Sequence, residues 1–340
     1  MIPCARVPQP AILALLLLFA LSVSVPASAA DVDDLLGQRP PGEGPTRIEV
    51  SFYLIDLMKV IDLNEMFEAD VFFIASWTDP RLKGERVRSV PLSEVWAPNI
   101  LIFNKRDADA DLPKIVTIQP DGTVTYRQRI IGTFASPLDL HRFPLDSQTL
   151  HVQLVVYGAS TDEVILVESP RFAAVANPDL SIGDWKVGPA TMESDEFHAV
   201  PGGPPHSRLT VRLDVERLVG YYVVQMLIPL LLIVAMSWMP FWINPEIIPT
   251  RVGTSVTTVL TLIAYRFMVG ALVPRLPYLT LMDYVLLAAT VVVAASLVLV
   301  ATGSVLVKTR PQTVGRIDRI GRVAHPLVFI SLIAGIFLFG

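Results

Sequence analysis

One apolar stretch of the sequence carries a regular stripe of side chains that could line a path for ions. Residues 249–271 suffice for a helix that crosses a bilayer, which takes about 20 residues. Spacings of three and four residues place on one helix face Gly253, Thr257, Leu260, Ala264, Phe267 and Ala271. One helix cannot enclose a channel, but several copies around an axis can, each lining water with this face. The stripe therefore predicts one subunit of an ion pore.

The composition separates this chain from most soluble proteins and from several classes of function. Of its 340 residues, 52% are hydrophobic and only 17% are charged. The net charge of −5 argues against nucleic acid as a partner. No GxSxG, HExxH or P-loop motif occurs, so we expect that the protein is not an enzyme and that it has no catalytic residues and no cofactor. The single cysteine, Cys4, leaves no basis for a disulfide, and we expect no metal site.

Residues 1–30 are expected to be a secretory signal peptide. Arg6 supplies a positive charge, residues 11–21 form a short apolar core, and small residues at 27–30 suit a signal peptidase. The alternative is an uncleaved N-terminal membrane helix. The short apolar run favours cleavage, so we expect the following domain to be exported.

Residues 31–216 are expected to form an extracellular β-sandwich domain. In segments 150–156 and 209–215, apolar residues recur at every second position, as in a strand with one buried face. Asp121-Gly122, between two further strand-like runs, is a strong signal for a tight hairpin. Short strands separated by Pro and Gly, without a long amphipathic helix, are typical of a sandwich.

Residues 217–340 are predicted to form a four-helix transmembrane bundle. Uncharged runs give spans at about 219–241, 250–271, 280–304 and 323–339. Segment 308–322 holds five basic residues and one acid, so the positive-inside rule places it in the cytoplasm. This topology agrees with the leader. Pro229 and Pro240 remove backbone donors in the first span, so we expect local kinks there.

Several motifs together carry a resemblance to a known family. Residues 136–150 read SPLDLHRFPLDSQTL, and further motifs are WTDPRL at 77–82, WAPN at 96–99, ERLVGYY at 216–222, PTRVG at 249–253 and TTVLT at 257–261. The chain resembles the pentameric ligand-gated (Cys-loop) ion channel family, whose two loop cysteines would stand at Ser136 and Leu150. The missing cysteines and the short cytoplasmic segment make it look like a bacterial member. Its pore helix is similar to that of glycine- and glutamate-gated chloride channels.

This resemblance implies a homopentamer, with a ten-stranded sandwich over four helices in each subunit. The chain would be a multi-pass protein of the bacterial inner membrane, surrounded by the lipid bilayer, with its N-terminal domain in the periplasm. A small-molecule agonist bound between adjacent sandwiches would open a central pore to inorganic ions. Alternatives are a proton-gated or cation-selective channel of the same family, or a membrane-tethered ligand sensor that does not conduct.

Within the stripe, Leu260 is the expected gate. Five inward leucines form a constriction from which water withdraws, and Phe267 would form a second one. The residues expected to control ion selectivity at the inner mouth are Glu246, Pro249, Thr250 and Arg251.

The sign of the permeant ion depends on charge at that mouth. A mouth without a ring of glutamates, together with Arg266 and Arg275 toward the outer side, slightly favours anions. Glu246 turned toward the axis would favour cations instead. Arg251, although it is counted among these candidates, is itself expected to face neighbouring helices or lipid headgroups.

Four aromatic residues are candidates for an agonist box by their positions in the family pattern. Phe72 falls on the second strand and Tyr157 follows segment 136–150, whereas Phe103 and Phe197 match the family pattern less closely. Such a box favours an amine or ammonium ligand. The alternative is that these rings belong to the core. His198 and His206 offer a proton trigger instead, since histidine gains charge as pH falls through about 6.5.

Coupling between the two domains is expected to depend on four charged residues. Asp146 and Arg217 match positions that pair in the family, and Asp62 and Glu65 would face the linker at 272–279. Partly buried charges at such a junction are costly to unpair.

Overall fold

The computed structural model describes residues 37–172, 174–271 and 276–339. The predicted signal peptide, Cys4 and Arg275 lie outside these residues. The described part consists of two β-sheets followed by four long helices.

Twelve strands make up the first half of the described chain. They are β1 (Thr46–Ile61), β2 (Met66–Thr78), β3 (Arg88–Pro91), β4 (Ile100–Ile102), β5 (Lys105–Ala110), β6 (Ile115–Ile118), β7 (Thr123–Ala135), β8 (Ser147–Val156), β9 (Val164–Glu168), β10 (Ala174–Ala176), β11 (Trp185–Phe197) and β12 (His206–Arg217). Helical structure among them is limited to three 3₁₀ turns in the described residues, at Asp62–Asn64, Pro80–Leu82 and Leu92–Glu94. The resemblance implied ten strands; the larger number arises because short pieces such as β4 and β10 pair along the longer strands.

These strands form the two sheets of a sandwich. In one sheet the order is β10-β1-β2-β7-β6-β3, with β5 also paired to β7 and β9 to β1. In the other the order is β11-β12-β8-β4. The expected β-sandwich is confirmed.

The predicted alternation sets which side chains enter the core. Every second residue of segments 150–156 and 209–215 is buried, as period two requires. Val155 and Thr210 are buried as well, so both faces of the sheet are partly covered. Asp121-Gly122 forms the expected turn between β6 and β7, and Gly122 has the positive φ of 87° that a glycine accepts.

The second half contains four helices long and apolar enough to cross a membrane. They are α1 (Gly220–Trp242), α2 (Ile248–Gly270), α3 (Leu281–Leu306) and α4 (Pro311–Phe339). The first changes its winding near its two prolines, with a π turn at Val223–Leu227 and a 3₁₀ turn at Met239–Trp242. A proline removes a backbone donor, which accounts for irregular winding at both places.

The fourth helix begins at Pro311, well before the span expected at 323–339. The predicted span was bounded by charge alone, but a helix that carries charges can continue where one side of it packs against the rest of the subunit. In the added turns, Val314 and Asp318 are buried. The basic segment 308–322 is therefore largely helical rather than a loop.

The sandwich meets the helices through the loop that precedes β8. The backbone N–H of Leu281 donates to the carbonyl of His141 at 2.7 Å, and that of Met282 donates to Phe143 at 3.2 Å. The ring of His141 stacks on Tyr278, with ring centroids 3.8 Å apart. Helix α3 thus starts directly on this loop.

Candidate functional site

Helix α2 has two opposite faces of different exposure. All six residues of the predicted pore stripe are exposed in the subunit, with 61% exposure at Leu260 and 77% at Phe267. The opposite face is buried and consists of Arg251, Ser255, Thr258, Leu262, Tyr265 and Val269. Small hydroxyls on this buried face bond back to their own helix, as Ser255 does to the Arg251 carbonyl at 3.1 Å. The helix is anchored on one side and open on the other.

Tyr265 fastens the buried face to the first helix. Its hydroxyl donates to the carbonyl of Met226 at 2.6 Å. Met226 lies in the π turn of α1, where carbonyls lose their regular helical partners. Together with the rest of the buried face, this contact holds α2 in the rotation that leaves the stripe open.

Arg251 does not lie at the inner mouth, where it was counted among the selectivity candidates. It is 1% exposed, and its guanidinium donates to Asp318 of α4 at 2.6 Å, on the side of α2 away from the stripe. A buried charge requires a counter-charge, and Asp318 supplies it. Arg251 thus faces a neighbouring helix, as expected for it, and does not belong with the selectivity candidates at the inner mouth. Pro249, Thr250 and Glu246 are exposed at this end of α2.

Arg217 lies between two carboxylates where the sandwich meets the helices. Its guanidinium donates to Asp62 at 2.8 Å through two nitrogens, and to Asp146 at 2.8 and 3.1 Å. Burial lowers the pKa of a guanidinium, but the bonds to both carboxylates outweigh burial, so the pKa of Arg217 is raised. Three of the four predicted coupling residues are thus in direct contact.

Glu65 does not join this cluster. It ends the 3₁₀ turn with a positive φ of 52°, and its side chain is exposed. Its backbone carbonyl accepts from the N–H of Ser136 at 2.9 Å. Glu65 therefore holds the turn next to loop 136–150 through its backbone, and its exposed carboxylate forms no ion pair with the other described residues.

Aromatic rings that the sequence reading missed surround Arg217. Its guanidinium carbon lies 4.1 Å from the ring centroid of Trp185, 4.9 Å from Phe143 and 5.3 Å from Tyr222. Cation–π contacts of this kind strengthen when water is excluded. Trp185 faces Arg217 across the β11–β12 pairing, a register that sequence alone does not give.

Three of the four predicted box residues lie at one end of the four-stranded sheet. Phe103 and Phe197 meet edge to face with centroids 4.7 Å apart. Tyr157 is 61% exposed and stacks loosely on His206 at 6.5 Å. The ring Nδ1 of His206 donates to the carbonyl of Ala159 at 2.8 Å, which ties the start of β12 to the Tyr157 loop.

Arg208 is a member of this cluster that the sequence reading missed. Its guanidinium lies over Phe197, 5.1 Å from the ring centroid, and pairs with Asp195. The hydrogen bonds from Arg208 hold the pKa of Asp195 below its ordinary value. One face of Phe197 is therefore already covered by a cation of the protein itself.

Phe72 stands apart from the other three aromatic candidates. It lies on β2 of the eight-stranded sheet, opposite Tyr53 on β1 and Arg129 on β7. Cross-strand partners share a face, so Phe72 and Arg129 point the same way. Arg129 pairs with Asp70 at 2.6 Å. The subunit alone does not bring Phe72 to the Tyr157 cluster.

Comparison with known proteins agrees with this architecture. Residues 36–197 match the family model of the neurotransmitter-gated ion-channel ligand binding domain, and residues 226–322 match that of the neurotransmitter-gated ion-channel transmembrane region. The chain belongs to this ion-channel family. The resemblance drawn from the motifs is confirmed, and the four apolar helices make it a multi-pass membrane protein.

Relatives of this channel subunit come from bacteria and vertebrates. It is 29% identical to a proton-gated ion channel of Gloeobacter violaceus over 318 residues, which are 90% of this chain and 88% of that protein. It is 27% identical to the gamma-aminobutyric acid receptor subunit beta-4 of Gallus gallus and 28% identical to subunit gamma-1 of Rattus norvegicus. Those matches cover 74% and 71% of this chain, and 54% of each receptor subunit.

Proposed function

We propose that five copies of this chain form a ligand-gated channel whose pore is lined by α2. The observation that carries the proposal is the division of α2 into a buried face and an open stripe that runs from Gly253 to Ala271. An apolar residue as exposed as Phe267 needs either lipid or a partner, and the small and hydroxyl residues on the same stripe favour a water-lined axis. The number five comes from the family resemblance.

The gate is proposed at Leu260, with Phe267 as a second constriction. Leu260 lies at mid-depth of α2 between Thr257 and Ala264. A ring of five leucines would exclude water and block ions without a plug. Thr257 and Gly253 would form a narrow, hydroxyl-lined passage on its inner side.

Anion conduction is the proposed selectivity. Pro249 and Thr250, exposed at the inner end, place no carboxylate there, and the buried Arg251–Asp318 pair adds no net charge to the mouth. Arg266 is exposed toward the other end of α2 and provides positive charge there. Glu246 lies outside the helix and is the residue that would oppose this preference.

The agonist site is proposed between neighbouring sandwiches. Tyr157, Phe103 and Phe197 of one subunit would face Phe72 of the next, since one subunit does not unite them. The exposed ring of Tyr157 and the half-buried ring of Phe72 suit the ammonium group of a small amine. Asp195 offsets the charge of Arg208 beside this space.

The remaining assignments follow from the same proposal. Residues 1–30 act as a signal peptide, 31–216 as the periplasmic ligand-binding domain and 217–340 as the transmembrane domain of a bacterial inner-membrane protein. The protein moves ions across the bilayer and catalyses no reaction.

A planar bilayer recording under a salt gradient tests the proposal. Purified wild-type protein should give discrete current steps, and the sign of the reversal potential should follow the chloride gradient. A reversal potential that follows the cation gradient would overturn the anion assignment alone. Absence of any current from an intact pentamer, across candidate amines, would favour the non-conducting sensor.

A proton-gated cation channel is the second candidate. It is favoured by the similarity to the Gloeobacter violaceus channel and by His198 and His206, which flank the β11–β12 loop. Lowering the external pH from 7.5 to 5 without ligand separates the two candidates. Proton-evoked current that a His206→Gln substitution removes would support the second candidate.

A further inference from the structure

The end of the helix bundle away from the sandwich carries an excess of exposed positive charge. Segment 308–322 holds five basic residues, and its single acid, Asp318, is buried against Arg251. All five basic side chains are exposed: Lys308, Arg310, Arg316, Arg319 and Arg322. Within the described chain none of them forms an ion pair. This basic end of the bundle therefore attracts anions.

Arg322 differs from the other four because its guanidinium is held in one orientation. Its Nε donates to the carbonyl of Phe241 at 2.9 Å, and its guanidinium carbon lies 4.9 Å from the ring centroid of Trp242. The backbone carbonyl of Arg322 accepts from the indole N–H of Trp238 at 3.1 Å. The two terminal nitrogens of Arg322 have no partner among the described residues. They form a pair of oriented donors, the arrangement that binds two oxygens of one phosphate.

Arg322 lies where the headgroup region of a bilayer would begin. After it, the sequence from 323 to 340 contains no Asp, Glu, Lys or Arg. The two tryptophans that contact it, Trp238 and Trp242, are of the residue type enriched at the boundary between membrane and water. At this depth the phosphates of phospholipids are the anions nearest to the free nitrogens.

The surface between α1 and α4 continues from Arg322 toward the middle of the bilayer as an apolar face. Met239 and Leu231 are exposed on α1, and Ile330 is exposed on α4. Leu231 and Ile330 line one cavity of about 360 Å³ between the two helices. About 12 Å of helix separate Arg322 from Ile330, which is within the length of an acyl chain. The apolar face therefore favours a lipid over a soluble phosphate.

Helix α4 is placed to meet lipid in the assembled channel. Within the subunit it is the least buried of the four membrane helices. Its Asp318 pairs with Arg251 on the buried face of α2, and the pore stripe occupies the opposite face. α4 therefore lies on the far side of α2 from the axis, a step that rests on the proposed function.

We propose that the groove between the end of α1 and α4 binds an anionic phospholipid. The terminal nitrogens of Arg322 donate to the phosphate, and Arg319, its neighbour three positions back on the helix surface, adds a second positive charge. An acyl chain lies along Leu231 and Ile330. The excess of basic charge disfavours a choline headgroup, so phosphatidylglycerol is preferred over phosphatidylcholine.

Native mass spectrometry of the delipidated full-length protein tests the site without requiring current. Phosphatidylglycerol and phosphatidylcholine with identical acyl chains are titrated separately, and the wild type should bind the first more tightly. Arg322→Gln and Arg322→Lys should each weaken phosphatidylglycerol binding by about tenfold, because lysine keeps the charge but loses the paired donors. Arg310→Gln is the matched control: it removes an exposed arginine from the same basic end and should bind almost as the wild type does.

Three results would overturn the proposal. The first is equal affinity of the wild type for the two lipids. The second is an equal loss in Arg310→Gln and Arg322→Gln, which would leave only the general attraction of a basic surface. The third is displacement of phosphatidylglycerol by inorganic phosphate at the same concentration, which would assign the anion site to a soluble ligand.

The comparison also survives a folding defect and stays separate from conduction. If Arg322→Gln does not elute as the wild type does, Arg322→Lys and Arg319→Gln provide the test, since Arg319 is exposed and forms no contact that the fold needs in the described chain. Lipid binding without current would overturn the channel proposal and keep the site. Current from a channel without lipid preference would do the reverse.

Discussion

The guanidinium of Arg251, in the first turn of α2, lies 2.6 Å from a carboxylate oxygen of Asp318 on α4. Both side chains are buried, and the two residues, on different helices, are 67 positions apart in the sequence. The second oxygen of Asp318 has no partner within the described chain, nor do two of the nitrogens of Arg251. The hydrogen bond between Arg251 and Asp318 is thus the main compensation for the burial of the two charges.

Removing one member of this pair should destabilise the subunit. Asp318→Asn leaves the guanidinium buried without a counter-charge, which costs about 3–5 kcal/mol. We expect a lower melting temperature and less intact pentamer, measured by size-exclusion chromatography after heating. Arg319→Gln, a change at the exposed neighbour on the same helix, should have no such effect.

A double replacement distinguishes a structural pair from a pore residue. Arg251→Met with Asp318→Leu removes both charges together, and apolar residues of similar volume often stabilise such a site. The double variant should recover the melting temperature and keep the wild-type reversal potential. A changed reversal potential would return Arg251 to the inner mouth.

Arg217 should be indispensable for opening. Arg217→Ala leaves Asp146 buried beside Asp62 without a cation, and it empties the space between three aromatic rings. We expect a pentamer that reaches the membrane but gives no agonist current. Arg212→Ala on the same strand, where the arginine is exposed, is the control. Normal agonist currents from a well-assembled Arg217→Ala channel would refute a coupling role.

Local periodicity accounts for much of this fold, whereas long-range partners do not follow from it. The alternation at 150–156 and the three-four spacing of α2 need only neighbouring residues, so the strands and the stripe were predictable. The pairing of Arg251 with Asp318, and of Trp185 with Arg217, depends on helix packing and strand register. The start of α4 at Pro311 was missed for the same reason. The first, basic turns of this helix pack through Val314 and Asp318, and the sequence does not show that these residues are buried.

Acid should weaken the sandwich through His151. Burial and then the charge of Arg212 lower the pKa of His151 below its ordinary value, so folding favours the neutral ring. Below about pH 6.5 the unfolded chain binds a proton that the folded chain resists, and stability therefore falls as pH decreases from there. The melting temperature should drop between pH 7.5 and 5.5, and less so in His151→Gln. His198→Gln, at an exposed position, should retain the full wild-type drop.

Polar substitution at the proposed gate should favour the open pore. Leu260→Thr lets water remain at the constriction, because a hydroxyl replaces part of an apolar ring. We expect current without agonist, or at least a tenfold lower agonist concentration for half-maximal current. Ile263→Thr makes a similar change on the flank of the helix, outside the stripe, and should leave gating near wild type. Equal effects of the two variants would contradict a gate at Leu260.

Co-expression of two variants, each lacking one aromatic wall of the proposed agonist site, tests whether the agonist binds between subunits. Tyr157→Ala and Phe72→Ala should each raise the half-maximal agonist concentration at least tenfold, because each removes one aromatic wall. In a pentamer assembled from both variants, some interfaces pair an intact Tyr157 with an intact Phe72. Co-expression should therefore restore a component of wild-type sensitivity that neither variant shows alone. Phe172→Ala, an exposed ring outside the cluster, should not lower sensitivity. If the mixture were no more sensitive than its parts, the two walls would not belong to one site.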